Sequence, residues 1–401
     1  MKLFQRRCNA ATGRWIVTQV MLVIGLVLQG CTTPPVRGVP LPQELSGSAT
    51  VPGIPEARRW GDERPSGLDA WLSLPRKELR ARYAGVMNRP HSYLVISGGG
   101  ADGAYGAGLL SGWTDRGTRP EFQIVTGIST GALIAPFAFL GPDYDPLLRE
   151  VYTSYSTSDL VAPRSLLQII HSDSALDTAP LRALIAQYFN DEVIEAIAAE
   201  GRRGRSLLVG TTNLDAARPV IWDITRIADS GVPGARDLIH DVILASASIP
   251  GAFPPVLIEV EANGQLYDEM HVDGGVMGQL FFGSKGINWF TVFKRLGVVG
   301  KPDLYLIRNG RLREHWKSVE PRLLPVVSRT VSSLIRTQGI GDLAKVYILS
   351  EKYKFNLELA YIPEDFTLEP SEPFDREYMQ ALFQLGYENA RTGSPWTSIR
   401  E

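Results

Sequence analysis

Gly98-Gly99-Gly100-Ala101-Asp102-Gly103 places three consecutive glycines directly after the apolar run Tyr93-Leu94-Val95-Ile96. Without Cβ atoms, the successive N–H groups of such a loop can converge on one developing negative charge beside a helix start. The same spacing fits a dinucleotide-binding loop, but that site needs an acidic residue about 20 residues on, at the end of the next strand, to hold the ribose. Here the next strand ends in Thr126-Gly127-Ile128-Ser129, and Glu121 precedes it. The glycine loop therefore reads as an oxyanion hole built from Gly98, Gly99 and Gly100, with Gly103 opening the following helix. In Gly127-Ile128-Ser129-Thr130-Gly131, glycines two before and two after the serine permit the sharp strand-to-helix turn that exposes a nucleophilic hydroxyl. Taken alone, the motif is equally a tight turn with serine as helix N-cap.

A serine nucleophile needs a base, ordinarily a histidine held by a carboxylate. Of the five histidines, His91, His171, His240, His271 and His315, only His315 is late enough for the order serine, acid, histidine, and Arg313-Glu314-His315-Trp316-Lys317 reads as a solvated charged segment. Asp273-Gly274-Gly275 offers another base, a carboxylate where a strand stops, with two glycines letting the chain turn close to the serine. Its alternative is an Asx turn ending a hairpin.

These groups need a parallel sheet to hold them. Tyr93 to Ile96 and Phe122 to Thr126 read as strands, each followed by a glycine turn and an apolar helical segment, to Trp113 and from Ala132 to Leu140. Beyond them, Leu181 to Phe189, Val193 to Glu200 and Asp237 to Ser246 read as helices. Leu207 to Thr212, Val220 to Thr225 and Leu304 to Ile307 read as strands. Val256 to Val260 and Gln265 to Val272 flank Asn263-Gly264, a strong hairpin signal that puts Asp273 just after the second strand. After Pro325, helices around Val326 to Arg336 and Asp375 to Arg391 enclose a strand at Leu357 to Tyr361. Phe281 to Phe290 reads either as an apolar rim beside the site or as a packing loop.

Composition narrows the classes. The 401 residues are 44% hydrophobic and 21% charged, which is globular. With 41 basic against 43 acidic residues, net −2, no basic excess exists to bind nucleic acid. The two cysteines, Cys8 and Cys31, leave no thiol for a metal cluster or a nucleophile in the body, and neither metal nor cofactor is expected.

Lys2, Arg6, Arg7 and Arg14 precede an uncharged run from Trp15 to Leu28, the layout of a secretory signal and short for a membrane span. Leu28-Gln29-Gly30-Cys31 resembles a bacterial lipobox, so residues 1–30 read as a lipoprotein signal peptide and Cys31 as the lipidated N-terminus. Removing residues 1–30 takes four positive charges and no negative ones, leaving net −6. Residues 31–65, rich in Pro, Gly and Ser, read as a flexible tether, and residues 66–401 as one catalytic domain. Thr32 after the cysteine favours the outer membrane by the Gram-negative sorting pattern.

In four blocks the sequence resembles the patatin-like phospholipases. These are Ser97 to Gly108, Gly127 to Gly131, Ala245-Ser246-Ala247-Ser248-Ile249-Pro250-Gly251-Ala252-Phe253-Pro254-Pro255, and Asp273 to Gly275. The resemblance implies a three-layer α/β/α sandwich and hydrolysis of lipid acyl esters. By position it makes Ser129 the nucleophile and Asp273 the base of a Ser-Asp dyad without histidine, the glycine loop supplying the oxyanion donors. Gly103, Gly127, Gly131, Gly274 and Gly275 support the turns. One departure stands out: the family usually has Arg or Lys where this chain has Asp102, which favours neutral lipids or simple esters over anionic phospholipids. The expected partners are a lipid or ester substrate and a membrane. The competing readings are a non-catalytic lipid-binding envelope lipoprotein and an acyltransferase on the same fold.

Overall fold

The computed structural model describes residues 37–164, 173–313, 316 and 318–398. The strands are β1 (Arg58–Trp60), β2 (Ser92–Ile96), β3 (Ile124–Ile128), β4 (Ser206–Asn213), β5 (Arg218–Asp223), β6 (Val256–Ala262), β7 (Gln265–Asp273), β8 (Asp303–Arg308), β9 (Asn356–Tyr361) and β10 (Thr397–Ser398). The helices of two turns or more are α1 (Arg76–Tyr83), α2 (Gly103–Asp115), α3 (Thr130–Leu140), α4 (Asp145–Thr153), α5 (Ala179–Tyr188), α6 (Asp191–Arg202), α7 (Ala235–Ser246), α8 (Trp289–Leu296), α9 (Leu323–Tyr353) and α10 (Arg376–Thr392).

One sheet runs β1-β5-β4-β3-β2-β8-β9-β10, with the β6–β7 hairpin joined to β4. From β4 to β9 the pairing is parallel, while β5, β1, β10 and the hairpin are antiparallel. The parallel strands are apolar on both faces, as a sheet covered on both sides requires. In β2, Leu94 and Ile96 point into the larger core with Trp113, Phe137 and Phe383, whereas Tyr93 and Val95 join Phe282, Trp289 and Phe355 on the opposite face. The α/β/α sandwich follows from that alternation. At the hairpin, Asn263 and Gly264 both have positive φ, +51° and +75°, as the two-residue turn demands.

Residues 37–65 depart from the tether reading. Pro40 bridges to Asp268 and Thr50 to Glu261, and β1 pairs with β5 through Arg58 opposite Trp222. Val51, Ile54, Ala57 and Trp60 are buried in the larger core, and Arg58 ion-pairs with Glu269 at 3.0 Å in the interior. Proline and glycine here set the path of a strap along the sheet edge rather than keep the chain loose, and widely spaced apolar residues anchor it. The run from Phe281 to Phe290 packs: Phe282 stacks on Trp289 at 4.8 Å, both buried. The supposed N-terminal signal, Cys31, His171 and His315 lie outside the described residues.

Candidate active site

The site sits at the carboxyl edge of the parallel strands, where open α/β sheets hold their ligands. Register puts it there. Ile96 of β2 lies opposite Gly127 of β3, Ile128 opposite Gly210 of β4, and Thr211 of β4 opposite Asp273 at the end of β7. The glycine loop, the serine turn and Asp273 therefore leave adjacent strands at one level.

Ser129 adopts φ +56° and ψ −126°, a region that costs a non-glycine residue about 1–3 kcal/mol. Close packing enforces it: a Cβ at Gly127 would run into the Gly131 carbonyl, and one at Gly131 into the Ile96 carbonyl. The Ser129 amide donates to Ser246 Oγ at 3.0 Å, and that hydroxyl donates to the Gly210 carbonyl at 2.7 Å. Ser246, at the end of α7, thus ties the strained turn to β4. The serine is 7% exposed, a nearly buried hydroxyl at the base of a cleft.

Asp273 is 5% exposed. Burial pushes its carboxyl up to about 6, and the nearby Ser129 hydroxyl and the Gly275 amide act in the opposite direction. The Gly275 N–H reaches Asp273 Oδ1 at 2.7 Å, the Asx turn that was the alternative reading of this residue, here combined with the contact to Ser129. Gly274 packs against the Gly210 carbonyl and Gly103 against the Thr130 side chain, each without room for a Cβ.

The glycine loop is braced by a residue that sequence reasoning did not single out. Asn309, just past β8, donates its backbone N–H to Ser97 Oγ at 2.8 Å and its Nδ2 to the Ser97 carbonyl at 2.9 Å, and its Oδ1 accepts the Gly106 N–H at 3.1 Å. Its carbonyl leaves no space for a side chain at Gly99. The Gly98 amide is directed at the Gln279 carbonyl at 3.4 Å, so Gly98 differs from its two neighbours in the loop. Asp102 accepts the Tyr378 hydroxyl at 2.6 Å, lies in the field of Arg311, and is pushed up to about 6 by burial.

Two spaces meet at Ser129. One is an apolar cavity among Leu133, Phe137, Leu184, Ile185, Tyr188 and Phe253, with no charged side chain among its described lining. The other is a wide polar cleft past Asp273. The described histidines serve elsewhere. His91 is held by Tyr93 and Val86, His240 by Phe189, and His271 by Thr211 and Glu269. None of the three is hydrogen bonded to Ser129 or Asp273.

Residues 94–282 match the model of the patatin-like phospholipases. Among solved structures, VipD from Legionella pneumophila aligns with a TM-score of 0.38 and 12% identity over 75% of this chain and 66% of VipD, so the chain spans just under two thirds of that protein. No curated protein matches the sequence.

Proposed function

The chain belongs to the patatin-like phospholipases through residues 94–282, a family of lipid acyl hydrolases, and we propose that it cleaves lipid acyl esters with a Ser129–Asp273 dyad through an acyl-enzyme. The observation that carries this reading is that the Ser129 hydroxyl and a buried Asp273 line one cleft at the mouth of an apolar cavity, close enough for the hydroxyl to lower the carboxyl's pKa.

In this mechanism the acyl chain enters the cavity and presents its ester carbonyl to Ser129. Asp273 accepts the hydroxyl proton as Oγ bonds to the carbonyl carbon. The Gly99 and Gly100 amides, with Gly98 held back by Gln279, stabilise the oxyanion. Collapse breaks the ester bond, and Asp273 returns the proton to the leaving alkoxide. Water then attacks the acyl-enzyme, giving a proton to Asp273, which passes it to Ser129 Oγ as the acyl–oxygen bond breaks, releasing the fatty acid and regenerating both Ser129 and ionised Asp273.

Anchoring at Cys31 belongs to the same proposal. Five residues separate Cys31 from Arg37, where the described fold begins, a span of at most about 20 Å. Lipidation would hold the domain close to the membrane of the cell envelope, the outer membrane by the residue after the cysteine. Cys31→Ser is expected to abolish palmitate labelling and membrane retention.

The decisive test is labelling with a fluorophosphonate probe. Wild type is expected to label at Ser129 and to hydrolyse a soluble ester, and Ser129→Ala to do neither. Full ester hydrolysis by Ser129→Ala would overturn the reading, and a wild-type protein inert to both assays would favour the non-catalytic lipid-binding alternative.

A further inference from the structure

Past Asp273, the polar cleft is lined by Arg308, the last residue of β8, by Arg311 in the turn after it, and by Arg329 and Arg336 of α9. All four lie outside residues 94–282. The carboxylates lining the same cleft are Asp102, Asp273 and Glu369. Two of these three are pushed up to about 6 by burial, so near pH 6 the cleft carries a surplus of positive charge.

Arg308 is the least accommodated of these cations. It is 6% exposed, and among the described residues its guanidinium makes one hydrogen bond, from Nε to the Arg311 carbonyl at 3.2 Å, and no ion pair. Helix α9 crosses directly over it at Gly339. Burial and the charge of Arg336 both disfavour its ionised form, offset only in part by Asp342, which is itself engaged by Lys345 at 2.9 Å and by the Gln279 amide at 2.7 Å. Arginine cannot shed its proton in a protein, so a further acceptor reaching this guanidinium would relieve the penalty. Arg311 donates to the Phe366 carbonyl at 2.6 Å, but its Nε is buried and makes no hydrogen bond. Two guanidinium groups with unused donors, lining one cleft and linked through the Arg308 Nε bond to the Arg311 carbonyl, are suited to the oxygens of a phosphate.

The placement matters as much as the charge. Asn309, between the two arginines, braces the glycine loop, and Ser129 lines the same cleft as Arg308 and Arg311, so a group held by the arginines shares that cleft with the reacting ester. The apolar cavity opens on the other side of Ser129. One bound molecule with an acyl chain at one end and an anionic group at the other fills both spaces with its ester at the serine.

We propose that Arg308 and Arg311 bind the anionic phosphate of a lipid headgroup and select lipids of net negative headgroup charge over zwitterionic and neutral ones. The proposal rests on the acyl-hydrolase reading of Ser129.

The test compares kcat/KM in mixed micelles for phosphatidylglycerol, phosphatidylcholine and diacylglycerol with the same acyl chains. Wild type is expected to prefer phosphatidylglycerol by about tenfold or more. Arg308→Gln and Arg311→Gln are each expected to reduce that preference several-fold, mainly through KM. Because Arg308 is buried, the Arg311 variant and the wild-type ratios decide the matter if Arg308→Gln does not fold. Equal wild-type rates on the three lipids, or a preference unchanged in Arg311→Gln, would overturn the proposal and leave the hydrolase reading standing. Turnover of none of them, with no probe labelling, would overturn both. Glycerol 3-phosphate carries the charge without acyl chains. As a competitor it is expected to bind more weakly than the lipid, and tighter binding would assign the cleft to a free phosphate ester and overturn the lipid assignment.

Discussion

The apolar cavity and the arginine-lined cleft open from the same serine, yet they are built in opposite ways. The cavity comes mainly from α3, α4 and α5, contiguous segments close in sequence to the serine turn. The cleft is closed on its far side by the end of β8 and by α9, brought beside the glycine loop by the parallel pairing of Ile307 with Ile96. The proposed bond-breaking groups and most of the cavity wall belong to the family-matched segment, while the charges proposed to read the rest of the substrate come from the C-terminal third. If the arginines select anionic headgroups as proposed, this division would run against the expectation attached to Asp102. A carboxylate replaces the usual cation there, but Tyr378 and Arg311 accommodate it, and the cleft regains positive charge from Arg308 and its neighbours.

Breaking the chemistry shared by both spaces should produce the largest effect. Asp273→Asn cannot accept the serine proton and should lower kcat by about 10²- to 10⁴-fold on any ester, soluble or lipid. Because burial raises the folded-state pKa of Asp273 to about 6, its stabilising contribution is present below the unfolded value near 4 and lost as pH rises through 6. Asp273→Asn should therefore melt a few degrees higher than wild type at pH 8, an increase that calorimetry would detect. Loss of activity with a lowered melting temperature would point to misfolding instead.

Next in size is the oxyanion loop. Gly99→Val drives a side chain into the Asn309 carbonyl and should cost about 10²-fold in kcat. Measured on a soluble ester as well as on lipids, the loss should be similar for all substrates, because the loop serves the reaction and neither end of the substrate. The smallest expected effect belongs to the cavity alone. Leu184→Trp should shift preference towards shorter acyl chains, with kcat/KM on long chains reduced about tenfold and short soluble esters turned over as before. An equal loss on short esters would mean that the cavity does not receive the chain.

Most of this frame is legible in the sequence wherever the cause is local. The glycine loop, the serine turn and the Asn263-Gly264 hairpin follow from backbone demands met by neighbouring residues, and the strands around them fall within a residue or two of the pattern. Two kinds of feature escape it. The strap from residue 37 to 65 looks like a linker because only scattered residues, such as Ile54 and Trp60, enter the core. Helix α9 begins before Pro325 and continues to Tyr353, since a proline in the first turn loses no helical hydrogen bond and glycines at 339 and 341 blur the apolar period. Asn309, Ser246 and Arg308 act through contacts with residues far away in the chain, and no spacing within a motif reveals them.

The central claim is that a carboxylate, with no imidazole, is the base. It is tested most directly by the pH dependence of kcat/KM on a soluble ester, recorded at two temperatures. Asp273 works ionised, so activity should rise on a single limb with its midpoint near pH 6 and stay level above it. A carboxylic acid ionises with little heat, so that midpoint should hold its position on warming. A midpoint that moves to lower pH at the higher temperature, as an imidazole's does, would contradict the dyad and require a histidine in the mechanism.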